Sequence, residues 1–244
     1  MTLDLPVVIG HRGAAALAPE NTLAGFRAAA AAGARWVEFD VKLSADGVAV
    51  LMHDATLERT TDGRGAVAAA PAAALAALDA GGWFGPGFRG ERVPTLVEAI
   101  AELERLGLGA NVEIKPCPGR AAATAGAVAE ILAARWPGSL PAPLISSFEP
   151  ECLAVARDAA PALPRGLLVD RLVPDWRAAV GVLGCASVNL GRRRASRAAI
   201  AAVLAAGLRL VVWTVNEAVE AARLVADGAS AIITDRPDAL LGRI

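Results

Sequence analysis

The two histidines of this 244-residue chain both lie in short motifs that carry charged side chains. His11 follows an apolar run and precedes Arg12, and His53 follows a second apolar run and precedes Asp54. Histidine has the side-chain pKa nearest neutrality, so it suits proton transfer and metal ligation. For either histidine alone, ordinary packing or surface exposure is the alternative. Taken together, the two motifs favour a catalytic role for both histidines.

Three carboxylates are predicted to converge near these histidines. Glu38 and Asp40 stand two residues apart in an apolar run, and alternate residues of a strand point to the same face. Glu113 ends a later strand and is expected at the same level. Three converging carboxylates repel one another unless a cation joins them, and oxygen ligands alone suit Mg²⁺ or Ca²⁺ better than Zn²⁺. The alternative is that these acids form structural ion pairs with nearby basic residues.

The positive charges near these motifs would suit a phosphate. The chain has only two lysines, Lys42 and Lys115, and Lys115 follows Glu113 by two residues, so its side chain should face the same side. Lys115, Arg12 and a bound cation would make a cationic cradle for a phosphate group. The same basic residues are the partners in the alternative of structural ion pairs. Because two histidines would flank the phosphate, the pattern predicts general acid–base cleavage of a P–O bond.

Composition excludes several other classes of protein. The net charge is −1 and no basic stripe is interleaved with aromatic residues, so nucleic-acid binding has no support. No uninterrupted apolar stretch reaches the ~18 residues of a membrane span, and the first residues lack the positive segment of a secretory signal. The three scattered cysteines are expected to be reduced. We therefore expect a cytoplasmic protein without stable membrane insertion.

A cluster of three arginines and the absence of a nucleotide-binding loop both bear on which ligand the protein binds. Arg192, Arg193 and Arg194 follow a predicted strand, where we expect a solvated surface that at most steers an anionic ligand. The chain has no Walker-type glycine loop, which disfavours nucleotide hydrolysis of that class. Neither feature changes the expectation of phosphate ester chemistry.

Apolar β-branched runs alternate with alanine-rich helical stretches, a pattern typical of a (β/α)8 barrel or a doubly wound sheet. Polar residues follow many of the predicted strands. Barrel enzymes build their sites on that face, whereas a switch-point site draws on only two or three strands. The pattern therefore predicts an α/β fold, a TIM barrel formed by residues 1–244 as a single domain. The eight predicted strands are Val7–Gly10, Trp36–Leu43, Asn111–Ile114, Leu144–Phe148, Gly166–Val169, Ala186–Leu190, Leu210–Thr214 and Ala231–Thr234.

A segment after the second strand departs from this repeat. The pair Asp46-Gly47 is a strong turn signal between two apolar runs, and it predicts a hairpin. A two-residue turn would place Asp40 opposite His53, whereas a four-residue loop would place Glu38 there. Either register brings the second histidine beside the carboxylates. Residues 48–93 are predicted to form a small inserted lobe over the barrel mouth.

An ordered set of motifs resembles the glycerophosphodiester phosphodiesterase family over nearly the whole chain. No position that matters for catalysis departs from the family pattern. The matching segments are GHRGA at 10–14, APENT at 18–22, VEFDVKLSADG at 37–47, HDATLERTT at 53–61, GGWF at 81–84, VPTLVEAI at 93–100, NVEIK at 111–115, SSF at 146–148, WTVN at 213–216 and ITDRPD at 233–238.

The resemblance implies one divalent cation, with Mg²⁺ ranked above Ca²⁺ because it is the more available ion in the cytoplasm. It implies hydrolysis of a small-molecule glycerophosphodiester to sn-glycerol 3-phosphate and an alcohol. In this scheme the glycerol 2-hydroxyl attacks the phosphorus first and gives a cyclic phosphate. Because this hydroxyl belongs to the substrate, a positioned internal attack replaces a bimolecular one. The implied site consists of Glu38, Asp40 and Glu113 on the metal, His11 and His53 as the acid–base pair, and Arg12 and Lys115 on the phosphate.

Several further residues are expected near this site. Trp213 is predicted to wall the glycerol pocket, with packing in the barrel mouth as the alternative. Phe148 and Trp83 are more simply explained by packing, although they could line the same cleft. We expect residues 20–21 to cap the first helix and to hold the loop of His11, and Asp235 to tie down the end of the chain.

Two other functions fit part of the pattern. A phospholipase D-like lyase that acts on lysophospholipids would share the histidines and the acids, but it would need an exposed apolar patch near the cleft. A non-catalytic phosphodiester-binding protein is the second alternative. The presence of both histidines and all three acids argues against it. The sequence leaves both assignments of acid and base open.

Overall fold

The computed structural model describes residues 3–244, whose strands form a closed parallel barrel. The strands are β1 (Val8–Gly10), β2 (Trp36–Leu43), β3 (Ala49–Leu51), β4 (Gly109–Ile114), β5 (Leu144–Ser147), β6 (Arg165–Val169), β7 (Ser187–Gly191), β8 (Arg209–Trp213) and β9 (Ala231–Thr234). All of these strands except β3 form the barrel, and β1 pairs with both β2 and β9 to close it. Among the described residues the barrel therefore has eight parallel strands, which confirms the predicted TIM barrel.

Helices surround the barrel, and three of those described begin at a residue whose side chain caps the first turn, namely Thr22, Thr95 and Ser196. In the helix Leu96–Leu106, Thr95 and Glu98 form a capping box, and Gly107 ends the helix in the left-handed conformation. No helix in residues 3–244 is both long and apolar enough to cross a membrane. The helices are α1 (Leu23–Ala31), α2 (Ala72–Ala77), α3 (Leu96–Leu106), α4 (Ala121–Arg135), α5 (Pro150–Ala159), α6 (Trp176–Leu183), α7 (Arg197–Leu204), α8 (Ala218–Ala226) and α9 (Pro237–Leu240).

The strands present one set of residues to the helices and the other set to the barrel interior. Val37, Phe39 and Val41 of β2 belong to the main core that the helices complete. Glu38 and Asp40 alternate with them and are buried on the interior side. The period of two in this strand therefore brings the carboxylates inside the barrel.

An apolar layer fills the barrel interior at the amino-terminal ends of the strands. Trp36 packs there with Ile9, Leu144 and Val211. Gly109, which pairs with Trp36, lies directly against the indole ring, and a Cβ at this position would overlap it. Because this end is filled, a ligand can enter only at the carboxyl ends, where the polar residues lie.

The hairpin of β2 and β3 has a register that differs from both predictions by one residue. Leu43 pairs with Ala49, and the Met52 N–H donates to the Asp40 carbonyl, so the ladder places Phe39 at the level of His53. Neither Asp40 nor Glu38 lies opposite His53. A one-residue slip reverses the face of a side chain, so a continued ladder would carry His53 away from the interior. The β3 strand ends at Leu51, and His53 reaches the barrel mouth beyond it.

The turn chemistry explains this register. Ser44 N–H donates to the Val48 carbonyl at 2.9 Å, which leaves the three residues 45–47 as the loop. Gly47 adopts a left-handed φ of 82°, as expected for the last residue of a three-residue hairpin loop. The Ser44 hydroxyl also bonds Asp46 and accepts from Val48 N–H. Asp46-Gly47 does mark a turn, but Ser44 closes a loop that is one residue longer than a two-residue turn.

The segment between β3 and α3, where the sequence predicts an inserted lobe, packs around a separate core. In this small core Leu57, Val67 and Leu75 are fully buried. The Asp79 carboxylate accepts hydrogen bonds from three backbone N–H groups of the glycine-rich loop that follows, at 2.7 to 3.1 Å. This loop presents Trp83, which is 41% exposed.

Candidate active site

Three carboxylates meet at the carboxyl ends of β2 and β4. Glu38, Asp40 and Glu113 each offer an oxygen within 4.8 Å of the others, and all three residues are buried. Within residues 3–244, Oε1 of Glu38 accepts no hydrogen bond, and Oε1 of Glu113 has an ion-pair contact with Lys115 Nζ at 3.4 Å but no hydrogen bond. Buried carboxylate oxygens without partners are costly, whereas a hard divalent cation takes such oxygens as ligands. The donor set therefore fits a divalent cation.

The loop after β1 fixes two of these carboxylates. Arg12 and Asn21 both adopt left-handed backbone conformations, with φ of 48° and 56°. Arg12 N–H donates to Glu38 Oε2 at 3.1 Å, and the Asn21 amide donates to Asp40 Oδ2 at 2.9 Å. Asn21 Oδ1 also accepts from the Asp40 N–H. Asn21 is thus a carboxylate-orienting residue.

The expected capping role of residues 20–21 is wrong. The helix α1 is capped by Thr22, whose hydroxyl accepts from Gly25 N–H at 3.1 Å. Glu20 instead binds arginine side chains, and Asn21 binds Asp40. The motif does begin the helix, but its cap lies one residue further along.

Burial and mutual repulsion shift the pKa values of the triad in different directions. Burial, followed by the charge of Asp40, raises the pKa of Glu113 to about 7. The pKa of Glu38 also rises, because of burial and then the charges of Asp40 and Glu113. Burial alone would raise the pKa of Asp40, but Arg12 and Lys115 lower it below its usual range. Without a cation the site therefore favours one ionised carboxylate.

Two basic side chains border the triad. Lys115 Nζ lies 3.3 Å from Asp40 Oδ1 and 3.4 Å from Glu113 Oε1. Arg12 Nε lies 3.4 Å from Asp40 Oδ2, and within residues 3–244 it is a buried donor without a hydrogen bond. Ion pairs to the acids are thus present, as the alternative interpretation proposed. Within residues 3–244 they leave the buried Arg12 Nε–H and Glu38 Oε1 without a hydrogen bond.

Lys42, the other lysine of the chain, has a structural role. Lys42 is buried, and its Nζ donates to the Lys115 carbonyl at 2.8 Å. It therefore supports the backbone of the other lysine and makes no salt bridge to the triad within the described residues.

His11 forms a dyad with an aspartate from the far end of the chain. Its Nδ1 lies 2.6 Å from Asp235 Oδ1, and its Nε2 lies 3.8 Å from Glu38 Oε2. Asn216 Nδ2 donates to Asp235 Oδ2 at 2.7 Å, which fixes the aspartate. Asp235 was expected to tie down the chain end, but its carboxylate binds the first histidine.

His53 forms a second dyad, held by a chain of charges. Its Nδ1 lies 2.6 Å from Asp54 Oδ1, and Arg59 makes a bidentate contact with the same carboxylate. Arg59 also makes a bidentate contact with Glu20, which in turn binds Arg12 at 2.7 Å. Burial lowers the pKa of His53. The network connects the second histidine to the arginine beside the triad.

These groups face one cavity of about 240 Å³ at the barrel mouth. Of the predicted site residues, all except Asp40 line it directly, and Asp40 is buried against Arg12 and Lys115. Trp213 and Phe148 meet edge to face on the opposite wall, with ring centroids 5.4 Å apart. Trp83 borders a separate groove beside His11 and does not line this cavity.

Sequence reasoning missed the partners of both histidines and a buried asparagine of the cavity. Asp54 stood beside His53 in the motif, and Asp235 followed a predicted strand, so position gave a signal in both cases. Asn111, which also lines the cavity, is 1% exposed and its amide makes no hydrogen bond within residues 3–244. The period of two from Glu113 could have placed Asn111 inside the barrel.

A TIM barrel whose mouth holds a carboxylate triad, two basic side chains and two histidine–aspartate dyads has the features of a metal-dependent phosphodiesterase. The model of the glycerophosphoryl diester phosphodiesterase family matches residues 11–239. The chain belongs to this family and is an enzyme of the phosphoric diester hydrolase class, as the motifs predicted.

Individual relatives agree with this assignment. A glycerophosphodiester phosphodiesterase of Caldanaerobacter subterraneus is 33% identical, and the match covers 98% of this chain and 97% of the relative. A solved Oleispira antarctica phosphodiesterase in complex with the product sn-glycerol-3-phosphate has a TM-score of 0.95 and is 38% identical, with 98% and 96% of the two chains covered. A glycerophosphodiester phosphodiesterase of Agrobacterium tumefaciens has a TM-score of 0.80 at 30% identity, covering 97% and 99%.

Proposed function

We propose that this enzyme hydrolyses glycerophosphodiesters to sn-glycerol 3-phosphate and an alcohol by two-histidine acid–base catalysis, with one divalent cation in the carboxylate triad. The observation that carries the proposal is the cavity at the barrel mouth that Glu38, Glu113, the two basic side chains and both histidines line, with Asp40 buried against Arg12 and Lys115. The solved relative that holds sn-glycerol-3-phosphate supports this choice of product.

Glu38, Asp40 and Glu113 are the residues that would hold the cation. A bound divalent ion would stabilise negative charge on the phosphate oxygens. We favour Mg²⁺ over Ca²⁺ on the proposal that the enzyme works in the cytoplasm, where Mg²⁺ is the more available ion.

The histidine dyads suit proton transfer in either direction. In each dyad an aspartate binds Nδ1, which leaves Nε2 as the ring nitrogen available for proton exchange. We propose that one histidine takes the proton of the glycerol 2-hydroxyl, whose oxygen attacks phosphorus, while the other protonates the departing alkoxide. A cyclic phosphate and the free alcohol result. In the second step the roles reverse, and water opens the ring to the phosphomonoester.

The remaining site residues bind and position the substrate. Arg12 and Lys115 border the triad and would donate to the phosphate, since the buried Arg12 Nε–H has no hydrogen bond of its own. Trp213 is fixed by donation from its Nε1 to the Asn189 carbonyl at 3.0 Å. We propose that its ring walls the glycerol pocket.

A substrate comparison tests this function. We expect hydrolysis of glycerophosphocholine with release of glycerol 3-phosphate, and at least tenfold lower kcat/KM for lysophosphatidylcholine. The reason is that the exposed Trp83 borders a groove separate from the cavity that Trp213 and Phe148 line, so these aromatic rings do not line one common cavity. The measurement is product identification by mass spectrometry. Turnover of the lysolipid alone, with release of a cyclic phosphate, would favour the lyase alternative. Binding without turnover would favour the non-catalytic alternative.

Affinity for Mg²⁺ is expected to rise with pH between about 6 and 8. Glu113 has its pKa raised to about 7, so the metal must displace a proton below that pH. The raised pKa also means that protonated Glu113 stabilises the metal-free fold at low pH. This contribution to stability is lost as the pH rises from the ordinary pKa of a carboxyl group through about 7. Calorimetric titration at several pH values, in buffers of different ionisation enthalpy, measures both affinity and proton release. Equal affinity at pH 6 and pH 8 would contradict this prediction.

A further inference from the structure

A second cavity opens at the same end of the barrel as the catalytic cavity. It has a volume of about 660 Å³ and is formed by the residues that follow β6 and β7 and by the end of β8. Trp213 and Thr214 line both cavities, so the two adjoin at these residues. Because Arg171 and the run Arg192–Arg194 line the second cavity, we call it the arginine groove.

The arginine groove is strongly cationic. Its four arginines are accompanied by a single lining carboxylate, that of Asp170. Arg192 contacts Glu220 at 3.0 Å, whereas the other three arginines form no salt bridge within residues 3–244. A guanidinium group presents several N–H donors in a plane and binds phosphate or carboxylate in a bidentate manner. The groove therefore offers unpaired donors to an anion.

The position of the groove separates it from the phosphate that reacts. Gly191 pairs with Trp213 in the parallel ladder, so Arg192 leaves its strand beside the tryptophan that borders the catalytic cavity. The catalytic cavity has its own basic residues, Arg12 and Lys115. The arginines beyond Trp213 are thus available to a different negative charge of the same ligand.

We propose that the arginine groove is a subsite for a second anionic group, carried by the alcohol that leaves. This inference rests on the proposed function, which it extends to the choice of substrate. The favoured substrates are glycerophosphodiesters whose alcohol bears a phosphate or a carboxylate, and this alcohol passes Trp213 on its way out of the catalytic cavity. Because the second anion does not react, its binding is equal in the ground and transition states. The preference is therefore expressed in KM.

The test compares two substrates that differ by one phosphate, glycerophosphoinositol 4-phosphate and glycerophosphoinositol. We expect the wild-type enzyme to show at least a tenfold higher kcat/KM for the phosphorylated substrate, through KM, since a charge-assisted hydrogen bond contributes about that factor. The double variant R193A/R194A is expected to bring this ratio close to one. Added salt at about 0.5 M should reduce the wild-type ratio in the same direction, because it screens exposed charges.

A charge-matched control separates the subsite from general electrostatics. Arg135 ends α4 and Arg209 begins β8, which places both at the opposite end of the barrel. The variant R135A/R209A loses the same formal charge and should keep the wild-type ratio. A wild-type ratio near one, or a ratio that survives in R193A/R194A, overturns the proposal while the hydrolase function stands.

Two further outcomes are distinguishable. If neither substrate nor glycerophosphocholine is hydrolysed, the proposed function fails and the subsite fails with it. If R193A/R194A keeps the ratio but loses binding to vesicles that contain anionic phospholipid, the groove is a membrane-facing surface and the subsite proposal is wrong.

Discussion

Replacing His53 with alanine is expected to lower kcat by about 10²- to 10⁴-fold, the contribution of a positioned general acid or base. The imidazole lines the catalytic cavity, and its Nδ1 is bound by Asp54 at 2.6 Å, so Nε2 is the nitrogen that can exchange a proton with the substrate. Alanine removes this nitrogen and leaves Asp54 paired with Arg59. Steady-state kinetics at saturating Mg²⁺ measure the effect.

Asp54→Asn is the companion variant, because asparagine keeps the size of the side chain and removes its charge. The Asp54 carboxylate stabilises the protonated imidazole, and burial already lowers the pKa of His53. We expect a smaller loss of kcat than in H53A. We also expect the limb of the pH–rate profile that reflects ionisation of His53 to move to lower pH. A purely structural role for Asp54 would reduce stability without moving the pH profile.

Turnover by H53A at the wild-type rate in saturating Mg²⁺ would contradict the acid–base assignment. Thermal unfolding of both variants, measured with and without Mg²⁺, controls for damage to the fold. The same substitution at His11 should give a loss of similar size, because the first dyad also binds Nδ1 and leaves Nε2.

The fold and the centre of the site follow from local patterns. The period of two along β2 places Glu38 and Asp40 on one face, and the barrel topology then carries Glu113 to the same level, since it pairs with Asp40 in the ladder of β2 and β4. Each of these positions depends on strand geometry, which apolar alternation reveals. The predicted convergence of the carboxylates could therefore be read without knowledge of distant contacts.

The contacts that sequence reasoning missed are those set by loop conformation or by long-range closure. His11 and Asp235 are 224 residues apart, and they meet because β1 pairs with β9. The hairpin register depended on one serine hydroxyl, which closes a three-residue loop in place of the predicted turn. Such details are decided by hydrogen bonds of single side chains, and composition and periodicity do not encode them.

Glu113→Gln is expected to raise the Mg²⁺ concentration required for half-maximal activity by about 10²-fold or more, since the loss of an outer-shell group alone costs 10- to 100-fold. The variant should also make the metal-free protein more resistant to heat above pH 7. Burial and the charge of Asp40 raise the pKa of Glu113 to about 7, so its ionised form opposes the metal-free fold. Glutamine removes that charge. Mg²⁺ should therefore raise the Tm of the wild type more than that of E113Q.

Glu102→Gln provides the matched control for a buried carboxylate outside the site. Glu102 lies in α3 and accepts hydrogen bonds from Arg105 and Arg27, which lower its pKa to about 2, so the variant should lose stability at neutral pH. Its Mg²⁺ requirement should equal that of the wild type, because Glu102 has no contact with the triad. Excess chelator should abolish wild-type activity, and added Mg²⁺ should restore it. Full activity of the wild type in chelator, or an unchanged Mg²⁺ requirement in E113Q, would exclude the carboxylate triad as the catalytic metal site.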